Sequence, residues 1–279
     1  MKCYIEKVLP EPDESLAVEH VIGPVADCIF HLHPEFELTY VQAGFGCRYI
    51  GNNINNFEPG DLVLIKNNVP HYYHTDINDA DSNDWCRIMV IQFQEKHLLN
   101  NLPEFDDICN LIAEAKSGII FYGIQEDAIA EVLNSEKIDR LTAFWRLLDK
   151  LSKSRYEIID NENGYPSEIN QDERINTVIK TIHRYMDNNR PITLAAMAKV
   201  ANMTPEAFSS YFHRTARKKF IDYLIELKLS RAKNLLLHTN LQIWDIAERS
   251  NFSNLSNFNR LFLKYYKMSP REFRKKWKF

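Results

Sequence analysis

No two of the five cysteines lie close together. Cys3, Cys28, Cys47, Cys86 and Cys109 form an odd, scattered set, which excludes a disulfide framework and a zinc knuckle and fits free thiols in a reducing compartment. A signal-type apolar core is missing from residues 1–10, where charged and apolar residues alternate. No apolar run approaches the roughly 18 residues that a bilayer crossing needs. These absences predict a cytoplasmic protein with no membrane partner.

What is present is 279 residues, enough for two ordinary domains, 45% hydrophobic and 26% charged. That composition suits a soluble globular chain. The net charge of −4 hides an asymmetry. Residues 171–279 hold 21 Lys and Arg against 9 Asp and Glu, a net of +12, and the preceding residues carry −16. A basic C-terminal part predicts a polyanion partner there, although charge alone also fits a solvated basic face.

Within residues 193–265 one pattern occurs twice. Leu194-Ala195-Ala196-Met197-Ala198 leads to Asn202 and then Thr204; Ile243-Trp244-Asp245-Ile246-Ala247 leads to Asn251 and then Ser253. The two alanines lie 49 residues apart, as do the two asparagines. Each copy reads as an apolar helix, a tight turn and a hydroxyl that caps a second helix, which is helix-turn-helix grammar.

Around these copies, Asp172 predicts the cap of a helix to about residue 188, and Thr193 caps the next. Thr204-Pro205 opens another, with an N-cap hydroxyl and Pro at the first helical position. A long amphipathic helix follows over residues 220–238. The helix from Asn254 is expected to bury Leu255, Phe258, Leu261 and Phe262. Ser269-Pro270-Arg271-Glu272 reads as a capping box.

Residues 1–100 carry short apolar or alternating runs at 26–32, 36–41, 47–50, 61–65 and 86–93. Turn chemistry such as Gly23-Pro24, Asn52-Asn53 and Glu58-Pro59-Gly60-Asp61 separates them. This spacing predicts an antiparallel sandwich or barrel. It also contains His31-Leu32-His33-Pro34-Glu35-Phe36-Glu37, then Gly44, and His71 eleven residues after Gly60. On a strand His31 and His33 share a face, and Glu37 can return to it across a bend at Pro34.

This spacing resembles the cupin signature, departing where Lys66, Asn68 and Thr75 replace the usual Pro, Gly and Asn. The resemblance implies that His31, His33, Glu37 and His71 surround one point inside a barrel. Three imidazoles and a carboxylate suit Mn, Fe, Ni or Zn; the same residues could line a metal-free pocket for a sugar or small metabolite, or pair with strand-edge carbonyls. Tyr40, Arg48 and Tyr72, with Tyr73 and His74, are candidates for hydrogen bonds or stacking to a sugar, or ordinary half-buried strand residues.

Residues 101–156 read as a helical, dimerisation segment with helices at 104–116, 125–134 and 137–154. The last has an apolar stripe of Ile138, Leu141, Phe144, Trp145, Leu148 and Leu151. It either covers the open side of the barrel or pairs with a second copy, so a homodimer is expected. Residues 157–171 are polar and rich in breakers, and read as a linker. The expected fold is therefore α+β in two domains: an antiparallel barrel with following helices over 1–156, and an all-α domain with two helix-turn-helix units over 172–279.

Ile246-Ala247, Asn251-Phe252-Ser253, Phe258-Asn259-Arg260-Leu261-Phe262 and Met268-Ser269-Pro270-Arg271-Glu272-Phe273 are similar to the AraC-type DNA-binding domain. The cupin-like part fits that bacterial family's sensor domain. Arg217, Asn251 and Lys267 occupy positions where the family commonly has Gly; a cation there bears about 1 kcal/mol of strain if φ is positive. The resemblance implies a regulator of transcription that binds double-stranded DNA, its two recognition helices entering major grooves about 34 Å apart. Glu206, Ser209, Ser210 and His213 face DNA from the first helix. Ser253, Ser256, Asn257, Asn259, Arg260 and Lys264 do so in the second unit, with Arg260 reading a base, bracing a phosphate or pairing with Asp245. A sugar or metabolite in the barrel would shift DNA affinity. The competing reading is a metallo-cupin enzyme or a metal-sensing regulator using His31, His33, Glu37 and His71, with no further acid/base pair of definite spacing.

Overall fold

The computed structural model of the chain describes residues 4–5, 10, 14–23, 30–75, 86–97, 102–160 and 173–277. Cys3, Cys28, the start of the 26–32 run, the Asp172 cap and linker residues 161–171 lie outside them. The chain forms two compact units, a β-rich one over most of residues 5–169 and a helical one over residues 170–279.

The β-rich unit has two sheets. One contains β1 (Tyr4–Ile5), β3 (His31–Leu32), β8 (His71–Thr75), β5 (Gly46–Ile50) and β6 (Asn53–Phe57), in that order. The other runs β11 (Arg155–Ile159), β10 (Gly118–Tyr122), β7 (Leu62–Ile65), β4 (Phe36–Ala43), β9 (Cys86–Phe93) and β2 (Ala17–Gly23). Period-2 alternation sorts their side chains. Val41, Val63, Ile65, Ile88, Val90 and Ile120 of the second sheet meet Ile50, Phe57 and Tyr73 of the first in one apolar layer. Phe36, Leu38, Tyr40, Leu62, Leu64, Ile91 and Phe93 point the other way, onto helices. Strands covered on both faces read as continuous apolar runs, which is why 36–41 and 61–65 look as they do. Gly46 is required by close approach, since a Cβ there would collide with the carbonyl of His74.

Those helices are α1 (Asp106–Glu114), α2 (Glu126–Asn134) and α3 (Lys137–Ser152). Phe144, Leu148 and Leu151 of α3 are fully buried in the sheet-facing layer, while Ile138 stays 66% exposed. The stripe is thus consumed by covering the sheet and is not left for a second copy. The sheet also extends past residue 100, because β10 and β11 come from the stretch read as helices and linker. Both are five-residue strands, and β11 supplies residues 157–159.

The helical unit contains α4 (Glu173–Asp187), α5 (Leu194–Val200), α6 (Pro205–Ala216), α7 (Phe220–His238), α8 (Ile243–Arg249), α9 (Leu255–Tyr266) and α10 (Pro270–Trp277). Thr193 and Thr204 cap α5 and α6 as their hydroxyls predict, accepting from Ala196 N and Ala207 N at 3.1 and 3.3 Å. Both arms of the Ser269–Glu272 capping box form, at 2.7 and 3.3 Å. Phe208, Phe212, Phe220 and Tyr223 pack edge to face in one half, and Phe258, Phe262 and Phe273 in the other. Two expectations fail locally. The cap of α9 is Asn254, whose side chain accepts from Asn257 N at 2.7 Å, so Ser253 lies one residue outside. Leu255, at the first helical position, is 41% exposed and not buried as its apolar side chain suggested.

Asn202, Arg217, Asn251 and Lys267 all adopt positive φ, at 54°, 53°, 62° and 59°. A lysine in this region costs about 1–2 kcal/mol, part of which glycine's freedom in the unfolded chain offsets. Lys267→Gly is expected to raise the unfolding free energy by up to about 1 kcal/mol in denaturant titrations; a fall would show that Lys267 contributes more through its charge than its backbone costs.

Candidate functional site

His31 and His71 are direct cross-strand partners on β3 and β8, so their rings lie on one face, 4.3 Å apart. His33 follows two residues on, its ring 5.1 Å from that of His71. Glu37, on the inner face of β4, reaches the group from the opposite sheet. One ligand atom from each of the four residues lies within 4.8 Å of the others. The site therefore bridges the two sheets.

Its hydrogen bonds fix the orientation of two rings. The Nδ1 of His33 lies 3.1 Å from Glu35 O, and that of His71 lies 2.8 Å from Val69 O. A carbonyl only accepts, so both Nδ1 atoms carry hydrogen and both Nε2 atoms point at the cluster. Glu37 Oε2 lies 3.1 Å from His33 Nε2 and 3.7 Å from His71 Nε2. Gln92 Nε2 donates to the same oxygen at 2.9 Å, and Thr39 Oγ1 donates to Oε1 at 2.6 Å. Burial raises the carboxyl pKa, but the charge of His71 and hydrogen bonds from His33 and His71 outweigh it and hold Glu37 well below the usual carboxylate range. Burial, followed by the neighbouring His31, pushes His71 down towards neutrality against the opposing pull of Glu37.

With both Nδ1 hydrogens committed to carbonyls, each Nε2 donates to Glu37 only in the protonated imidazolium. Once deprotonated, the same Nε2 atoms and the carboxylate are a donor set for a cation, and backbone carbonyls behind ligating histidines are the usual outer layer of a metal site. Bonds of about 2.0–2.1 Å place ligand atoms roughly 3.4 Å apart in a tetrahedron and about 4.2 Å across an octahedron. The widest spacing allowed by the cluster, 4.8 Å, exceeds the octahedral span by about 0.6 Å and the tetrahedral spacing by about 1.4 Å, so an octahedral ion with open positions is the nearer fit.

The other first-domain candidates separate. Arg48 lies on the inner face, opposite Tyr73 and two residues from the Ile50–His71 pair. It is buried and ion-paired with Asp61, with Tyr122 hydrogen-bonded to Glu157 at 2.9 Å nearby. Tyr72 alternates to the opposite face of β8, where it meets Phe30 edge to face at 6.0 Å and stacks with Tyr49 at 5.6 Å. Tyr40 faces the helices; burial, then Glu126 and Asp127 of α2, push its phenol pKa up. Neither tyrosine reaches the histidine cluster, because each sits one register step off the inner face. Gln92 and Thr39 were missed. Their signal was a polar residue at an inner-face position of a strand otherwise apolar, visible only once strand pairing sets Gln92 opposite Glu37.

In the second unit Glu206, Ser209, Ser210 and His213 are exposed along one side of α6, opposite buried Phe208, Tyr211 and Phe212. On α9, Ser256, Asn259, Arg260 and Lys264 are exposed and Asn257 is half-buried, with Phe258, Leu261 and Phe262 behind them. Ser253 is exposed in the turn before α9. Arg260 donates to Asn257 Oδ1 at 2.9 Å, one turn back, rather than to Asp245. That bond holds a guanidinium and an amide side by side, a pair suited to base edges or a phosphate.

Residues 16–102 match the AraC-like ligand-binding domain family, and residues 197–276 match a helix-turn-helix domain family. Among curated relatives, the HTH-type transcriptional regulator YdiP of Escherichia coli (strain K12) is 26% identical, over 89% of this chain and 81% of its own length. The HTH-type transcriptional activator RhaR of Enterobacter sp. (strain 638) is 24% identical over 88% and 86%. RhaS of Escherichia coli (strain SE11), also an HTH-type transcriptional activator, is 23% identical over 95% and 94%. All three are regulators of transcription, and the enzyme alternative finds no support among them. A ligand-binding β-domain ahead of a DNA-binding helical domain, matched in the same order along the chain, places this protein in the AraC family of transcriptional regulators.

Proposed function

We propose that this regulator senses a small ligand in its first domain through a divalent transition-metal ion held by His31, His33, Glu37 and His71, and reads DNA with α6 and α9. The observation that carries the sensor half is the convergence of four ligand atoms from both sheets on one point. The ion anchors a sugar or similar metabolite through coordination positions the protein leaves open, and Arg48 with Asp61 supplies polar contacts on the same inner face. Gln92 and Thr39 hold Glu37 in place and are positioning residues. Ligand occupancy changes DNA affinity by favouring one arrangement of the protein over another.

The DNA half is supported by exposed polar side chains on two capped helices in a region of net charge +12. Glu206, Ser209, Ser210 and His213 face the first groove, and Ser256, Asn257, Asn259, Arg260 and Lys264 the second, with Ser253 beside the backbone. Short serines make α6 the weaker direct reader. A cytoplasmic site of action fits a DNA-binding chain in which no described helix is long and apolar enough to cross a membrane. A homodimer would use a surface other than the α3 stripe.

Equilibrium dialysis of the purified full chain against zinc, nickel, iron or manganese should give one ion per chain. His33→Ala should weaken binding at least about hundredfold, and Gln92→Ala about tenfold to hundredfold, the range for outer-layer partners. Metal content unchanged in His33→Ala would remove the site. Addition of the ion with candidate sugars should shift operator affinity; constant affinity under every bound ligand would remove the coupling.

Arg260→Ala is expected to relax preference at particular base pairs by about 1–3 kcal/mol in competition binding. A uniform loss over all sequences, with the salt slope reduced by about one, would assign Arg260 to a phosphate instead.

A further inference from the structure

The two helix-turn-helix units share a backbone design but not a fastening. In each, the residue after the left-handed Asn returns its amide to the alanine of the preceding helix: Met203 N to Ala198 O and Phe252 N to Ala247 O, both at 2.9 Å. Asn202 is exposed, whereas Asn251 is half-buried. The Asn251 side chain reaches out of its own unit, Nδ2 donating to the carbonyl of Arg190 at 2.9 Å. The backbone carbonyl of Asn251 accepts from Lys228 Nζ at 2.6 Å, and that ammonium lies 5.7 Å from the centre of the Phe252 ring.

Arg190 is itself held firmly. Asn189, at φ 49°, ends α4 in a Schellman pattern, with Arg190 N donating to Tyr185 O at 2.7 Å and Asn189 N to Met186 O at 3.1 Å. Three residues later Thr193 caps α5. Lys228 belongs to α7, and Arg231 on the same helix donates to Asp187 at the end of α4 at 2.7 Å. The approach to the first unit, the bridging helix and the turn of the second unit therefore meet at one residue. A glycine would adopt the φ of 62° at Asn251 without steric cost, but it would carry no Nδ2.

We propose that Asn251 is a positioning residue that fixes the pose of α9 relative to α6, and so sets which separation of two major-groove subsites the protein accepts. Inserting one base pair moves the second subsite about 3.4 Å along the duplex and roughly 35° around it. Two units joined only through α7 could follow by bending at its ends; a turn tied to the α4–α5 loop cannot. This inference rests on both helices entering DNA.

The test uses the full chain and a duplex that the wild type selects from a random pool. Spacing variants lengthen or shorten it by one base pair between subsites, and another duplex keeps only the second subsite. Wild type is compared with N251G, N251D and N202G. The first keeps the backbone conformation; the second keeps size and left-handed tolerance, but its carboxylate cannot donate to a carbonyl. Wild type should bind the altered spacings about tenfold more weakly. N251G and N251D should shrink that penalty about three- to tenfold, the worth of one hydrogen bond, and bind the one-subsite duplex within about twofold of wild type. N202G should behave as wild type. An unchanged spacing penalty in N251G and N251D overturns the proposal, as does a loss on the one-subsite duplex equal to that on the full one. Wild type indifferent to spacing would overturn the two-helix reading beneath it.

Discussion

A carboxylate that stays ionised between two sheets must be met by donors on both oxygens, and Glu37 is met on both. Thr39 answers Oε1, Gln92 answers Oε2, and two imidazoles close the remaining side. Each partner sits on a different strand or turn, so the pairings of β4 with β9 and of β3 with β8 have little room to slip. A one-residue shift would send Gln92 out towards the helices and bring Ile91 or Phe93 against the charge. The apolar layer between the sheets excludes water from the same space, which strengthens every one of these bonds. Register, packing and the chemistry of the site are thus one constraint seen three ways.

The helical unit is organised by a different economy. Its stability comes from aromatic residues meeting edge to face on the inner sides of α6, α7 and α9, and that burial is what leaves the outer sides free to be polar. Five left-handed residues, Asn189, Asn202, Arg217, Asn251 and Lys267, then set where each helix stops and the next begins. Caps and turns of this kind contribute about 1 kcal/mol each, too little to hold a helix alone. What they decide is direction.

Local signals explain how much was legible. Hydroxyl caps, Thr204-Pro205, the Ser269–Glu272 box and the repeated Ala and Asn lie within four or five residues of what they control, and all but the Ser253 cap predicted their elements well. The histidine cluster was also legible, because three of its members fall within seven residues, although Glu37 joins His31 and His33 from the opposite sheet and not from a shared strand face. What depended on pairing between distant strands was not. Gly118–Tyr122 and Arg155–Ile159 are short runs outside the helices, and only the pairing of the first with β7 and of the second with the first makes them sheet. Asn53–Phe57 carries three asparagines and reads as a turn. Tyr40 and Tyr72 carried suitable side chains, but which face they occupy was fixed by strand phase, which composition does not reveal.

The two helix faces proposed to meet DNA differ residue by residue: Glu206, Ser209 and Ser210 on one, Ser256, Asn257 and Arg260 on the other. A single chain presenting them in succession has no internal two-fold axis, so the stretch of duplex it covers has a head and a tail. A palindrome would serve such a chain badly. Turning the site end for end would put each helix against the other's bases, so the helical unit would come to rest on the duplex with a defined heading.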